Sequence, residues 1–98
     1  MKVAFFDTKP YDKESFDLAI RGTEIEIKYF ETKLNRDTVS LAQGADAVCA
    51  FVNDTVCAEV IDKLCEMGIT LLALRCAGFN QVDMRHAYGR IHVFRVPA

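Results

Sequence analysis

The residues best suited to chemistry cluster after one apolar segment, in the run Arg75-Cys76-Ala77-Gly78-Phe79-Asn80. Arginine supplies a permanent cation, glycine lets backbone approach a ligand, and successive N–H groups can point at an anion. Two further groups stand at the ends of other apolar runs: Asp7-Thr8, and residues 51–54 with Phe51, Asn53 and Asp54. Each also has a plain structural use. Arg75 can pair with a surface acid, Gly78 can serve a turn, and Asn53 and Asp54 can cap a helix. Asp7 reads either as a catalytic acid or, more ordinarily, as a loop carboxylate accepting from backbone N–H groups. Cys76 beside Arg75 has a setting that lowers a thiol pKa, but no base accompanies it to complete a nucleophile.

Other chemistries are disfavoured by spacing. Cys49, Cys57, Cys65 and Cys76 form no CxxC pair, and His86 and His92 are not grouped with them. Cys57 and Cys65 lie on one expected helix, about 12 Å apart along its axis, too far to share a metal. Buried free thiols are the expectation, with no metal site. There is no GxGxxG, GxxxxGK[ST], HExxH or GxSxG in the chain. With 12 Lys+Arg against 14 Asp+Glu there is no basic excess for neutralising phosphates, so nucleic acid is a poor partner. No apolar run approaches the ~20 residues of a membrane span. The start, Met1-Lys2 and then a short apolar run ending at Asp7, is too brief for a secretory leader, so a cytoplasmic protein is expected.

These groups must be positioned by the surrounding elements, and 98 residues at 51% hydrophobic suffice for one domain with a real core. Residues 2–7, 45–52 and 70–74 are unbroken apolar runs, the mark of strands buried on both faces. Residues 24–30 instead alternate strictly, with Ile25, Ile27 and Tyr29 against Glu24, Glu26 and Lys28, which predicts an edge strand with one wet face. Helices are expected at 11–21, stopping at Gly22, at 35–43, ending at Gly44, and as a turn at 84–88. The clearest helix carries Val56, Val60, Ile61, Leu64 and Met67 on one stripe, with Asn53 and Asp54 as its caps and Gly68-Ile69 as a Schellman ending. Residues 75–83 form a loop and 91–96 a fifth strand. Strand and helix in alternation demand a parallel sheet. The expected fold is thus α/β, a flavodoxin-like doubly wound five-stranded sheet of order 2-1-3-4-5, lacking a final covering helix after its fifth strand.

Ala47-Val48-Cys49-Ala50-Phe51-Val52-Asn53-Asp54, Val60-Ile61-Asp62-Lys63-Leu64, Leu72-Ala73-Leu74 with Arg75 to the Gln81-Val82-Asp83 segment, and Val93-Phe94-Arg95-Val96-Pro97-Ala98 together resemble the amino-terminal part of bacterial fermentative D-lactate dehydrogenases. These are NAD-dependent D-isomer-specific 2-hydroxyacid dehydrogenases. The opening Met1-Lys2-Val3-Ala4 and Tyr11-Asp12-Lys13 resemble the same group, so the similarity spans the chain. Residues 84–93 match only loosely.

The resemblance implies that residues 1–98 are a substrate-binding (catalytic) domain fragment, without the family's dinucleotide-binding domain. It implies that the N–H groups of Ala77 and Gly78 take the substrate carboxylate, that Phe51 lines the pocket and limits the substrate side chain, and that Arg75 supports that loop. The implied reaction interconverts pyruvate and D-lactate with NADH and NAD. Its arginine, proton-donating histidine and glutamate, like the glycine-rich cofactor loop, lie downstream in the family, so no catalytic residue is expected here. His86 and His92 do not correspond to that histidine. The chain alone is therefore expected to be inactive and to bind no NAD. The other readings are a non-catalytic flavodoxin-like module that self-associates or binds a protein partner through its uncovered sheet face, and a response-regulator receiver. The receiver is disfavoured because Asp7 lacks an acidic neighbour and Arg95 stands where a lysine is wanted.

Overall fold

The structure, a computed structural model, describes residues 1–51, 54–75 and 82–95. Five strands form one parallel sheet: β1 (Lys2–Phe5), β2 (Glu26–Tyr29), β3 (Ala47–Ala50), β4 (Leu71–Leu74) and β5 (His92–Arg95). Their order is β2-β1-β3-β4-β5, as the alternation of elements predicts. β2 is one edge strand, and its burial alternates between exposed and half-buried positions. β3 is buried at every position.

One face of the sheet carries the main core. Ala4, Phe6, Val48, Ala50, Leu72 and Leu74 point at α2 (Ala58–Glu66), which returns Val60, Ile61 and Leu64 as a fully buried stripe. The Schellman ending holds: Gly68 sits at φ +77°, Ile69 N–H donates to Leu64 C=O at 2.9 Å and Gly68 N–H to Cys65 C=O at 3.0 Å. The helix expected at 35–43 contracts to a 3₁₀ turn at Val39–Ala42. A short α3 (Met84–Ala87) is capped by Asp83, whose side chain accepts from His86 N–H at 3.1 Å.

α1 (Pro10–Ala19) lies on the other face, over β1 and β2, and it is unusual. Pro10 opens the helix rather than breaking the chain before it, since its fixed φ suits the first helical position. Of its residues only Asp12 is buried, while Leu18 is 62% exposed. Its apolar anchorage is the Phe16 ring, edge-on to Phe5 at 4.8 Å. A polar contact must therefore help to hold this helix on the sheet.

Two expectations of the sequence change. Asp54 does not cap α2, whose N-cap is Cys57. Val56 is drawn off into a bridge with Val82, so the helix begins later and Asp54 turns inward instead. Among the described residues Asp7 accepts from no backbone N–H; its Oδ1 accepts from Lys9 Nζ at 3.0 Å, with the backbone of Asp7 at φ +52°. That left-handed conformation turns the chain sharply at the end of β1.

Candidate functional site

In an open parallel sheet a ligand crevice forms beyond the carboxyl ends of the strands, where neighbouring strands send their connections to opposite faces. Here that switch lies between β1 and β3. The residues leaving β1, β3 and β4 at this edge are Phe6-Asp7, Phe51 and Arg75. A separate surface concavity of about 290 Å³, lined by Lys2, Glu26, Lys28, Leu41 and Gly44, lies toward the amino ends of β1 and β2 and so away from this edge.

Arg75 organises the edge. Its backbone N–H extends the β3–β4 ladder by one rung, donating to Ala50 C=O at 3.0 Å. Its guanidinium is sandwiched, the central carbon 4.2 Å from the Phe5 ring centroid and 4.7 Å from that of Phe51. Stacking on both faces uses the planar, weakly hydrated cation in the way a lysine could not. Nη1 donates to Asp12 Oδ2 at 2.9 Å, and Nη2 donates to the carbonyls of Phe6 and Asp7. The same Asp12 oxygen accepts from Lys9 N–H at 3.0 Å, closing the first turn of α1. Side-chain exposure is 8% for Arg75 and 12% for Asp12, so this is a buried ion pair. Among the described residues, the buried Arg75 Nε and Asp7 Oδ2 find no partner.

Phe51 is held from behind. Its N–H donates to Asp54 Oδ2 at 2.7 Å, while Asp54 Oδ1 accepts from Leu34 N–H, also at 2.7 Å. One carboxylate thus ties the end of β3 to the segment entering from β2, and Thr55 N–H to Leu34 C=O at 2.8 Å seals the contact. Burial pushes the Asp54 carboxyl above its ordinary value, against the opposing pull of the two N–H donors. Cys49, below Phe51 on β3, is pushed up to about 11 by burial, with the Arg75 charge only partly offsetting it. Its thiol is protonated at neutral pH and is no nucleophile.

The sequence-derived candidates therefore divide. Phe51 and Arg75 come together at one edge, in ring-to-guanidinium contact. Ala77 and Gly78, like Asn53 and Cys76, lie outside the described residues. His86 sits elsewhere, its Nε2 2.6 Å from Asp62 Oδ1 between α2 and α3. No group of three or more metal-ligating side chains occurs among the described residues. Sequence reasoning missed Asp12 and misassigned Asp54. Asp12 stands 63 residues from Arg75, and no local pattern marks that pairing.

A dinucleotide does not suit the residues present. The β1–α1 connection, where doubly wound folds cradle a pyrophosphate, holds Asp7, Thr8 and Lys9 with no glycine, and Asp7 brings a buried carboxylate to the place a phosphate would occupy.

Known proteins give the same picture on a larger scale. Residues 3–98 match the family model described as D-isomer specific 2-hydroxyacid dehydrogenase, catalytic domain. The chain is 48% identical over 99 aligned positions to 2-hydroxyacid dehydrogenase homolog 1 of Schizosaccharomyces pombe, covering all of this chain and 30% of that protein. It is 40% identical to the D-lactate dehydrogenase of Escherichia coli, again over its full length and 30% of the relative. The apo structure of the Escherichia coli enzyme superposes with a TM-score of 0.94, covering 100% of this chain and 31% of that one. The chain thus spans about 30% of the length of the curated relatives it matches. With its sheet order, its crevice edge and a family model spanning nearly every residue in agreement, the chain belongs to the D-isomer specific 2-hydroxyacid dehydrogenases, within their catalytic domain.

Proposed function

We propose that these residues form the substrate-binding part of an oxidoreductase that interconverts pyruvate and D-lactate with NADH and NAD. The observation that carries the reading is the meeting of Phe51 and Arg75 at the β1/β3 switch point, directly before residues 76–81 in the chain. In this reading the N–H groups of Ala77 and Gly78 take the keto-acid carboxylate and the Phe51 ring bounds the space for its side chain. Arg75 contributes positive potential rather than donors, because its Nη groups are already engaged by Asp12 and by the carbonyls of Phe6 and Asp7. The cofactor and the proton-transferring residues belong to another part of the enzyme, so the 98 residues alone do not turn over.

The test has two arms. The purified chain, given NADH and pyruvate, is expected to leave NADH unconsumed. A chimera in which it replaces the equivalent segment of the Escherichia coli D-lactate dehydrogenase is expected to oxidise NADH with pyruvate and release D-lactate. A folded chimera that binds NADH yet reduces no 2-keto acid would overturn the reading.

A second reading, self-association, draws on the face of the sheet opposite α2. Leu71 and Ala73 on β4 are half-buried there, and Phe94, beside Ala73 on β5, is 42% exposed.

A further inference from the structure

We infer that Asp54 is a positioning residue for substrate selectivity: by holding both backbone groups of Phe51 it fixes the direction of the ring that bounds the 2-keto acid's side chain. That role rests on the proposed function and deepens it, adding a residue that acts only through Phe51.

The regular sheet does not hold Phe51. Phe6 N–H to Cys49 C=O, at 3.0 Å, is the last described rung between β1 and β3. Continued further, the parallel ladder would pair Phe51 N–H with Phe6 C=O, but Arg75 Nη2 takes that carbonyl instead. Phe51 N–H donates to Asp54 Oδ2 at 2.7 Å, and Phe51 C=O accepts from Asp54 N–H at 3.0 Å. Both polar backbone groups of Phe51 therefore end on one residue. With the backbone restrained from both sides, the Cα–Cβ bond keeps one direction, and the ring lies 4.7 Å from the Arg75 guanidinium carbon.

Asp54 is itself immobilised. It is buried, its Oδ1 accepts from Leu34 N–H at 2.7 Å, and Thr55 N–H returns to Leu34 C=O at 2.8 Å. Leu34 is fully buried in the main core, so the carboxylate ties Phe51 to the core. Two short bonds to separate oxygens require a carboxylate, because an amide offers one oxygen and turns a donor toward the other N–H. A pocket wall can reject an added methylene, worth about 10- to 200-fold, only as far as it resists displacement.

The first experiment needs no substrate. Amide hydrogen exchange and Arg75–Phe51 nuclear Overhauser contacts are measured by NMR on the 98-residue chain, on Asp54→Asn and on Asp54→Ala. In Asp54→Ala, exchange at Phe51 is expected to accelerate about tenfold more than at Ile69, whose bond to Leu64 reports the remote end of α2, and the ring contact is expected to weaken. Asp54→Asn should fall between. Equal acceleration at both amides, or none at Phe51, would overturn the tie. Should Asp54→Ala fail to fold, Asp54→Asn carries the same comparison.

In the chimera, the quantity measured is the ratio of kcat/KM for pyruvate to that for 2-oxobutyrate, which is one methylene longer. The ratio is expected to fall about tenfold in Asp54→Ala and less in Asp54→Asn, with Phe51→Ala, which removes the wall itself, setting the largest fall attainable. Equal loss of kcat/KM on both acids, the mark of a merely structural role, would overturn the inference. So would a ratio that Phe51→Ala lowers and neither Asp54 variant moves. A parent chimera without turnover, or a ratio unmoved by Phe51→Ala, would instead overturn the functional reading, and the selectivity role falls with it.

Discussion

At the scale of single residues, two carboxylates decide how this edge is built, and they behave oppositely. Asp12 meets a cation, and removing it leaves Arg75 charged and buried, so Asp12→Ala is expected to cost about 3–5 kcal/mol, measured by urea unfolding. Against the roughly 5–15 kcal/mol that holds a small domain together, that is a large fraction. Asp54 accepts from the N–H dipoles of Phe51 and Leu34 rather than from a cation among the described residues, and burial raises its pKa above the ordinary 3.8. The folded state therefore holds its proton more readily than the unfolded chain. Between the ordinary value and the raised one, the contribution of Asp54 to stability falls as pH rises, and it is flat above that window. Comparing unfolding free energies of the native chain and Asp54→Asn across acid pH should show the native advantage shrinking as pH rises through that window; a growing advantage would contradict the burial argument. The two residues were also unequally legible. A carboxylate just before an apolar stripe looks the same whether it caps the helix or turns inward, and only the Val56–Val82 bridge decides that Asp54 turns inward. Asp12 gave no local sign at all. Arg75, by contrast, was visible as a cation at the end of an apolar run, although the sequence left open whether it would pair with an acid or face a ligand, and it pairs with Asp12.

At the scale of elements, the two longer helices are held by different physics. α2 presents Val60, Ile61 and Leu64 to the core, and this period was plain in the sequence because burial of an apolar stripe is a local signal repeated every turn. α1 has no such stripe and is fixed by one ring contact, by Tyr29 Oη donating to Asp17 at 2.8 Å, and by the Asp12–Arg75 pair. Its end was placed correctly only to within two residues for the same reason. β1, β3 and β4 were legible because the interior strands of a parallel sheet need unbroken apolar runs, and β2 because its alternation marks an edge. The ending of α2 gives a direct test. Gly68 stands at φ +77° with open space around the position a Cβ would take, so a side chain there meets conformational strain and no clash. Gly68→Ala is expected to cost about 1 kcal/mol, lowering the thermal midpoint by roughly 4–8 °C for a domain of this size. A midpoint that does not move would mean that the Schellman geometry can be given up without loss.

Across the whole molecule, the two sheet faces are unequal, and that inequality has a consequence in solution. The face toward α2 buries Leu72 and Leu74 completely, whereas the opposite face relies on α1, which sits over β1 and β2 through Phe5, Phe16 and Tyr29. Toward β4 and β5 on that side, Leu71 and Ala73 are half-buried and Phe94 is 42% exposed. A contiguous apolar strip flanked by polar residues favours contact with another surface, because each Å² removed from water contributes about 25 cal/mol. A few hundred Å² covered in this way would offset only part of the entropy lost on association, so the contact expected of the isolated chain is weak and concentration-dependent. Sedimentation of the 98-residue chain should therefore show an average mass that rises with concentration, accompanied by binding of an apolar dye. Phe94→Lys should suppress both while leaving the thermal midpoint nearly unchanged, because Phe94 contributes little to the core. A monomer at every concentration with no dye bound would remove self-association as a reading of this face. Suppression by Phe94→Lys would place the contact on β5, on the face opposite α2, and leave the crevice at Phe51 and Arg75 free for a small acid.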